Sequence, residues 1–89
     1  MAKVFKKNVG TGDYENPQTL TSDFFTFFGC MTQDAEFVAY GGDKKFRIAK
    51  LNSGTNQYAE INALTLSNTV RNCKFSNDNT FFFVGMQQV

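Results

Sequence analysis

Slid past itself by 43 positions, the sequence meets its own pattern, and this constrains the fold more than any single motif does. Thr26 falls on Thr69, Cys30 on Cys73 and Gly42 on Gly85, while Phe37-Val38-Ala39-Tyr40 falls on Thr80-Phe81-Phe82-Phe83. Asp34 and Asp78 match with one residue of slack, and Gly12 meets Gly54 at an offset of 42. The repeated order is a strand, an Asp-containing turn, and an apolar strand closed by Gly. A unit this short cannot cover its own apolar face, so neighbouring units are expected to pack face to face.

Between turns, the chain reads as strands. Val4-Phe5 opens an extended stretch, broken by Gly10-Thr11-Gly12-Asp13 and by Asn16-Pro17. Phe24 to Met31 is aromatic and predicts a strand. Glu36 to Tyr40 predicts another, halted by Gly41-Gly42-Asp43-Lys44 in a hairpin connection. Lys45 to Leu51 alternates polar and apolar, the mark of a strand with one wet face. Tyr58 to Leu66 fits either a helical stripe or a strand, and Asn62 and Thr65 favour an outer strand. Thr69–Phe75 and Thr80–Val84 complete the series, the latter an apolar run expected to be buried on both faces. Phe37, Ala39, Phe81, Phe83, Cys30, Cys73 and Ile48 are the expected core.

Composition narrows the function. Hydrophobic residues make up 42% and aromatics 16%, enough to exclude a disordered chain. Nine basic residues against eight acidic ones leave +1, which gives no broad field for phosphates or anionic lipid. The longest apolar run, Phe81–Val84, is too short to span a bilayer, and Met1-Ala2-Lys3-Val4-Phe5 lacks the pattern of a secretory signal. No membrane partner and a cytoplasmic location are the expectation. Two cysteines are too few for a disulfide framework and, without His, for an ordinary zinc site. Cys30 and Cys73 read as equivalent core thiols.

Some of these segments resemble the WD-repeat β-propeller family. Cys73 to Gly85 resembles the first two strands of a WD-repeat blade, in which a Phe-Ser-x-Asp-like turn leads into an apolar strand closed by Gly. Glu36 through Gly54 resembles the remainder of one. The Trp-Asp dipeptide is absent, with Ala49-Lys50 in its place, and so is the Gly-His pair; Asp43 alone survives from the family's polar network. The resemblance implies an all-β fold of short antiparallel strands in propeller-blade-like sheets, about two incomplete blades. Residues 1–23 would be the trailing strands of a preceding blade, 24–66 a blade-like repeat and 67–89 a partial second. It also implies a protein–protein scaffold role, with Gly42, Asp43 and Gly85 as structural turn positions. Two blades cannot close a ring, so the chain is expected to be part of a longer protein or to assemble with copies or another chain.

The residues point away from catalysis. The chain has no His, and no Ser or Cys has a base beside it in sequence. Asp13 with Glu15, and Asp34 with Glu36, read as solvated turn carboxylates. Neither a dinucleotide nor a phosphate-loop fingerprint is complete, so no cofactor or metal is expected. The remaining candidates are Phe24, Phe25, Phe27 and Phe28 with the lysine pair Lys44-Lys45. At least two of those rings must point to each side of the chain, giving core on one side and, on the other, sheet-to-sheet packing or a partner-binding patch. A protein partner or self-association is expected. The alternatives are a small single-stranded nucleic-acid-binding β-barrel of phage type, which the +1 charge disfavours, and a viral or assembly-associated structural β-protein.

Overall fold

Four tight turns set the architecture, in two pairs whose members lie 44 residues apart. In the first pair, Asn8 Oδ1 accepts the backbone N–H of Gly10 (2.9 Å) and Thr11 (3.3 Å), as Asn52 Oδ1 accepts those of Gly54 (2.8 Å) and Thr55 (3.4 Å). Each turn closes on a left-handed residue, Gly12 (φ 79°) and Asn56 (φ 59°), types that tolerate this conformation. In the second pair, Thr32 and Ser76 each donate a hydroxyl to an Asp two residues on, Asp34 or Asp78, at 2.7 Å. Those carboxylates accept the N–H of Glu36 and Thr80, both at 3.0 Å, while the hydroxyl oxygens accept the N–H of Phe37 (3.0 Å) and Phe81 (2.9 Å).

The computed structural model describes residues 1–87 and is all-β. The strands are β1 (Ala2–Lys7), β2 (Tyr14–Leu20), β3 (Phe28–Met31), β4 (Phe37–Gly41), β5 (Lys45–Asn52), β6 (Gln57–Thr65), β7 (Val70–Phe75) and β8 (Phe82–Met86). They form three antiparallel sheets: sheet I (β1-β2), sheet II (β3-β4-β5-β6) and sheet III (β7-β8). The segment that fitted both periods is therefore the outer strand β6. The strand expected from Phe24 begins only at Phe28, because residues 24–27 cross the end of sheet II instead of pairing along it.

Strand registers fix the repeat at 44. Val4↔Gln18 maps onto Ile48↔Asn62, each beside a register shift, and Met31↔Val38 maps onto Phe75↔Phe82. The 43-residue match is thus one residue out, and a one-residue slip turns every side chain to the opposite face. Cys30 corresponds to Lys74 and Cys73 to Gly29; the two cysteines are not equivalent. Gly85 corresponds to Gly41, not Gly42, and lies inside β8 instead of ending it.

That slip explains the cysteine pairing. Sheet II packs one face (Val38, Tyr40 and Ala49) against Leu20, Ala2 and Val4 of sheet I. Its other face, with Ala39, Phe46 and Ile48, packs against Val70, Phe75, Phe82 and Val84 of sheet III. Cys30 points from sheet II toward sheet III and Cys73 points back. They meet as a disulfide with Cα atoms 6.1 Å apart, within the usual range, and not as free thiols.

The core list needs correction at β8. Ala39 is buried, and Phe37, Ile48, Cys30 and Cys73 are half-buried. Phe81 and Phe83, expected inside, are 74% and 63% exposed. They lie on the face of sheet III that no sheet covers among the described residues, whereas Phe82 packs inward on Phe46 and Phe75 with ring centroids 5.1 and 4.6 Å away.

Candidate interaction surface

The crossing segment at the end of sheet II carries the aromatic cluster and divides it as the alternation requires. Phe24 turns inward onto Tyr40 (centroids 6.4 Å apart) and Phe28 onto Phe46 (5.7 Å). Phe25 and Phe27 turn outward, 84% and 60% exposed. Gly42 makes the crossing sterically feasible: a Cβ there would lie 1.9 Å from the Phe25 carbonyl oxygen. The same strip is pinned by Phe27 N–H donating to the Gly41 carbonyl (2.9 Å) and Val70 N–H to the Gly42 carbonyl (3.2 Å).

Arg47 and Asp23, which sequence reasoning passed over, organise the inward half. The Arg47 guanidinium sits over the Phe24 ring at 5.3 Å and bonds Asp23 (3.1 Å) and Glu60 (3.0 Å). Lys45 reaches the other Asp23 oxygen at 2.8 Å. That bond, helped by a backbone N–H and the two positive charges, holds the Asp23 carboxyl below its ordinary value. Lys45 is thereby committed to an ion pair. Its neighbour Lys44 sits in the turn with φ 64° and faces solvent. Of the six proposed patch residues, Phe25, Phe27 and Lys44 remain turned outward, and Phe24, Phe28 and Lys45 serve the fold. Among the turn positions, Asp43 accepts the Thr69 hydroxyl at 3.0 Å and so ties the β4–β5 turn to the entry of β7.

The carboxylates are structural in geometry. The Thr32 hydroxyl and the Glu36 N–H hold Asp34 below the usual carboxylate range, and the Ser76 hydroxyl and Thr80 N–H do the same for Asp78. Asp34 also accepts the Asn79 side-chain amide at 3.2 Å, linking the two equivalent turns across the sheets. Burial pushes the Tyr40 and Tyr58 phenols up. Among the described residues no three of His, Cys, Asp or Glu gather as a metal set would.

A second outward feature is the face of sheet III bearing Phe81 and Phe83. A third is a groove of about 370 Å³ between sheets I and II. Lys3 and Phe5 form its wall, and Gly29, Met31, Val38 and Tyr40 line its floor. Comparison of the chain with protein-family models, curated proteins and solved structures gives no match.

Proposed function

We propose that this chain is a non-catalytic protein-interaction module, a propeller-like segment that works within a larger assembly. The observation that carries the reading is the stacking of three repeat-related sheets with the outermost apolar face, Phe81 and Phe83, left uncovered among the described residues. Large exposed aromatic surfaces in soluble proteins mark sites of association. The Phe25–Phe27 strip adds a second such surface at the end of sheet II. A cytoplasmic setting, expected from the sequence, would favour Cys30 and Cys73 as thiols, since disulfides persist in oxidising compartments.

The test is association, not turnover. Phe25→Ser with Phe27→Ser, and Phe81→Ser with Phe83→Ser, are compared with the parent by sedimentation and by co-purification with identified proteins. At least one pair is expected to lose association while keeping the circular-dichroism spectrum. Unchanged association in both would defeat the reading. Sub-micromolar binding to single-stranded DNA with a steep salt slope would favour a nucleic-acid module instead.

A further inference from the structure

The two small sheets are complementary halves of the large one. At the 44-residue offset, β7 and β8 match β3 and β4, the first two strands of sheet II, while β1 and β2 match β5 and β6, the last two. Sheet III therefore lacks the strands that sheet I supplies, and sheet I lacks those of sheet III. The missing neighbour has the same chemistry in both cases. In sheet II the β4 residues Phe37 and Gly41 bond toward β3 (Thr32 N–H to Phe37 O and Phe27 N–H to Gly41 O, both 2.9 Å), so Val38 and Tyr40 bond toward β5. By the same alternation, Phe82 and Val84 turn their N–H and C=O groups to an edge with no strand beside it among the described residues.

We propose that β8 of one copy pairs with β1 of a second copy, so that sheet III and sheet I join into a four-stranded sheet built like sheet II. This deepens the assembly reading above and rests on it. Carrying the β4–β5 register across gives Phe81 opposite Lys6, Phe82 opposite Phe5, Phe83 opposite Val4 and Val84 opposite Lys3. Side chains that look idle in one copy acquire roles in this register. Lys50 stands over the Phe37 ring at 5.6 Å, and both residues recur unchanged at the equivalent positions, Lys6 and Phe81. The Tyr58 hydroxyl donates to the Ala35 carbonyl, and Tyr58 recurs as Tyr14, which is 67% exposed.

The groove beside β1 is shaped for this occupant. Its wall is the open edge of β1 and its floor is the face of sheet II that continues past sheet I. A β7–β8 hairpin seated there would lay Phe81 and Phe83 over the exposed Gly29 and Met31, much as sheet II already lies on sheet III. The contact is head-to-tail, so it propagates from copy to copy, into a ring where its rotation closes and into a filament where it does not.

Val4 and Phe83 would form a non-hydrogen-bonded pair, the closely spaced kind that a disulfide can bridge. Val4→Cys and Phe83→Cys proteins, each retaining Cys30–Cys73, are mixed under mild oxidation. Covalent dimers are expected in the mixture and not in either protein alone. Phe5→Cys, on the opposite face of β1, is expected to give none with Phe83→Cys. Lys3→Pro removes an N–H that points away from β2 and is expected to weaken self-association roughly tenfold, the equivalent of one hydrogen bond. Linking with Phe5→Cys equal to that with Val4→Cys would overturn the proposal. So would the absence of linking between variants that keep the parent spectrum. A chain that stays monomeric at every concentration would also overturn it, assigning the edge to a further repeat or to an unlike protein. Association of the Phe25–Phe27 surface is read separately by its own variant, so the broader reading does not fall with this one.

Discussion

Strands β4 and β8 are built by the same turn and paired in the same register, yet they meet different surroundings. β4 carries Val38-Ala39-Tyr40, all buried; β8 carries Phe82-Phe83-Val84, where the larger Phe83 is mostly exposed. The more hydrophobic strand is the less buried one. Sheet II has a sheet against each face and sheet III, among the described residues, against one, so the cover decides burial and the side chains do not. The comparison also locates where stability should reside: in the two interfaces that sheet II makes.

Adjacent residues of β8 should break the comparison most sharply. Phe82→Asp puts a charge between Phe46 and Phe75 and should cost about 3 kcal/mol or more, whereas Phe83→Asp should stay within about 0.5 kcal/mol in dilute monomer. Denaturant melts of the two variants check this, and equal losses would mean that the outer face is covered. Next is the bridge between sheets II and III. Cys30→Ser with Cys73→Ser should cost about 2–4 kcal/mol, since the bond closes a loop of 43 residues. A thermal midpoint unchanged by reduction would contradict it.

The glycines give a smaller contrast. A methyl at Gly42 meets the backbone oxygen of Phe25, whereas at Gly85 it meets the Asn72 side chain, which can swing away. Gly42→Ala should cost about 1–3 kcal/mol and Gly85→Ala less, read from melts of each. The equivalent turns also differ at their left-handed position. Ala35 holds φ 63° where the second turn has Asn79 at φ 62°. Ala35→Asn should stabilise by about 1 kcal/mol and Asn79→Ala should destabilise.

Acid should weaken both turns together. Asp34 and Asp78 bind protons less tightly folded than unfolded, their carboxyls lying below the ordinary 3.8. Their contribution is therefore complete above that value and is lost as the pH falls through the lower folded-state values. An acid titration of the melting temperature measures it, and Asp34→Asn with Asp78→Asn should flatten the curve.

Turn chemistry made the strand order legible, because Asn, Gly, Asp and Ser act on their own neighbours. The Cys30–Cys73 identity favours an offset of 43, one residue short of the structural repeat. A stronger local signal lay in Asn8-x-Gly10-Thr11-x-x-Tyr14 and Asn52-x-Gly54-Thr55-x-x-Tyr58, which coincide at 44. The face each cysteine shows depends on that single residue, so the disulfide could not be read from the 43-residue match. Exposure of Phe81 and Phe83 was not legible either, since it depends on what lies beyond the sheet. At the aromatic cluster, the division of rings to two sides followed from alternation, but Arg47 and Asp23 are distant in sequence and meet only after β5 is placed.

Amide hydrogen exchange in dilute solution tests the central claim most directly, because it reads the open edge residue by residue. The amides of Val38 and Tyr40, paired to β5, should be protected, and those of their equivalents Phe82 and Val84 should exchange at rates close to an unstructured chain. Equal protection at all four positions in the monomer would contradict the account.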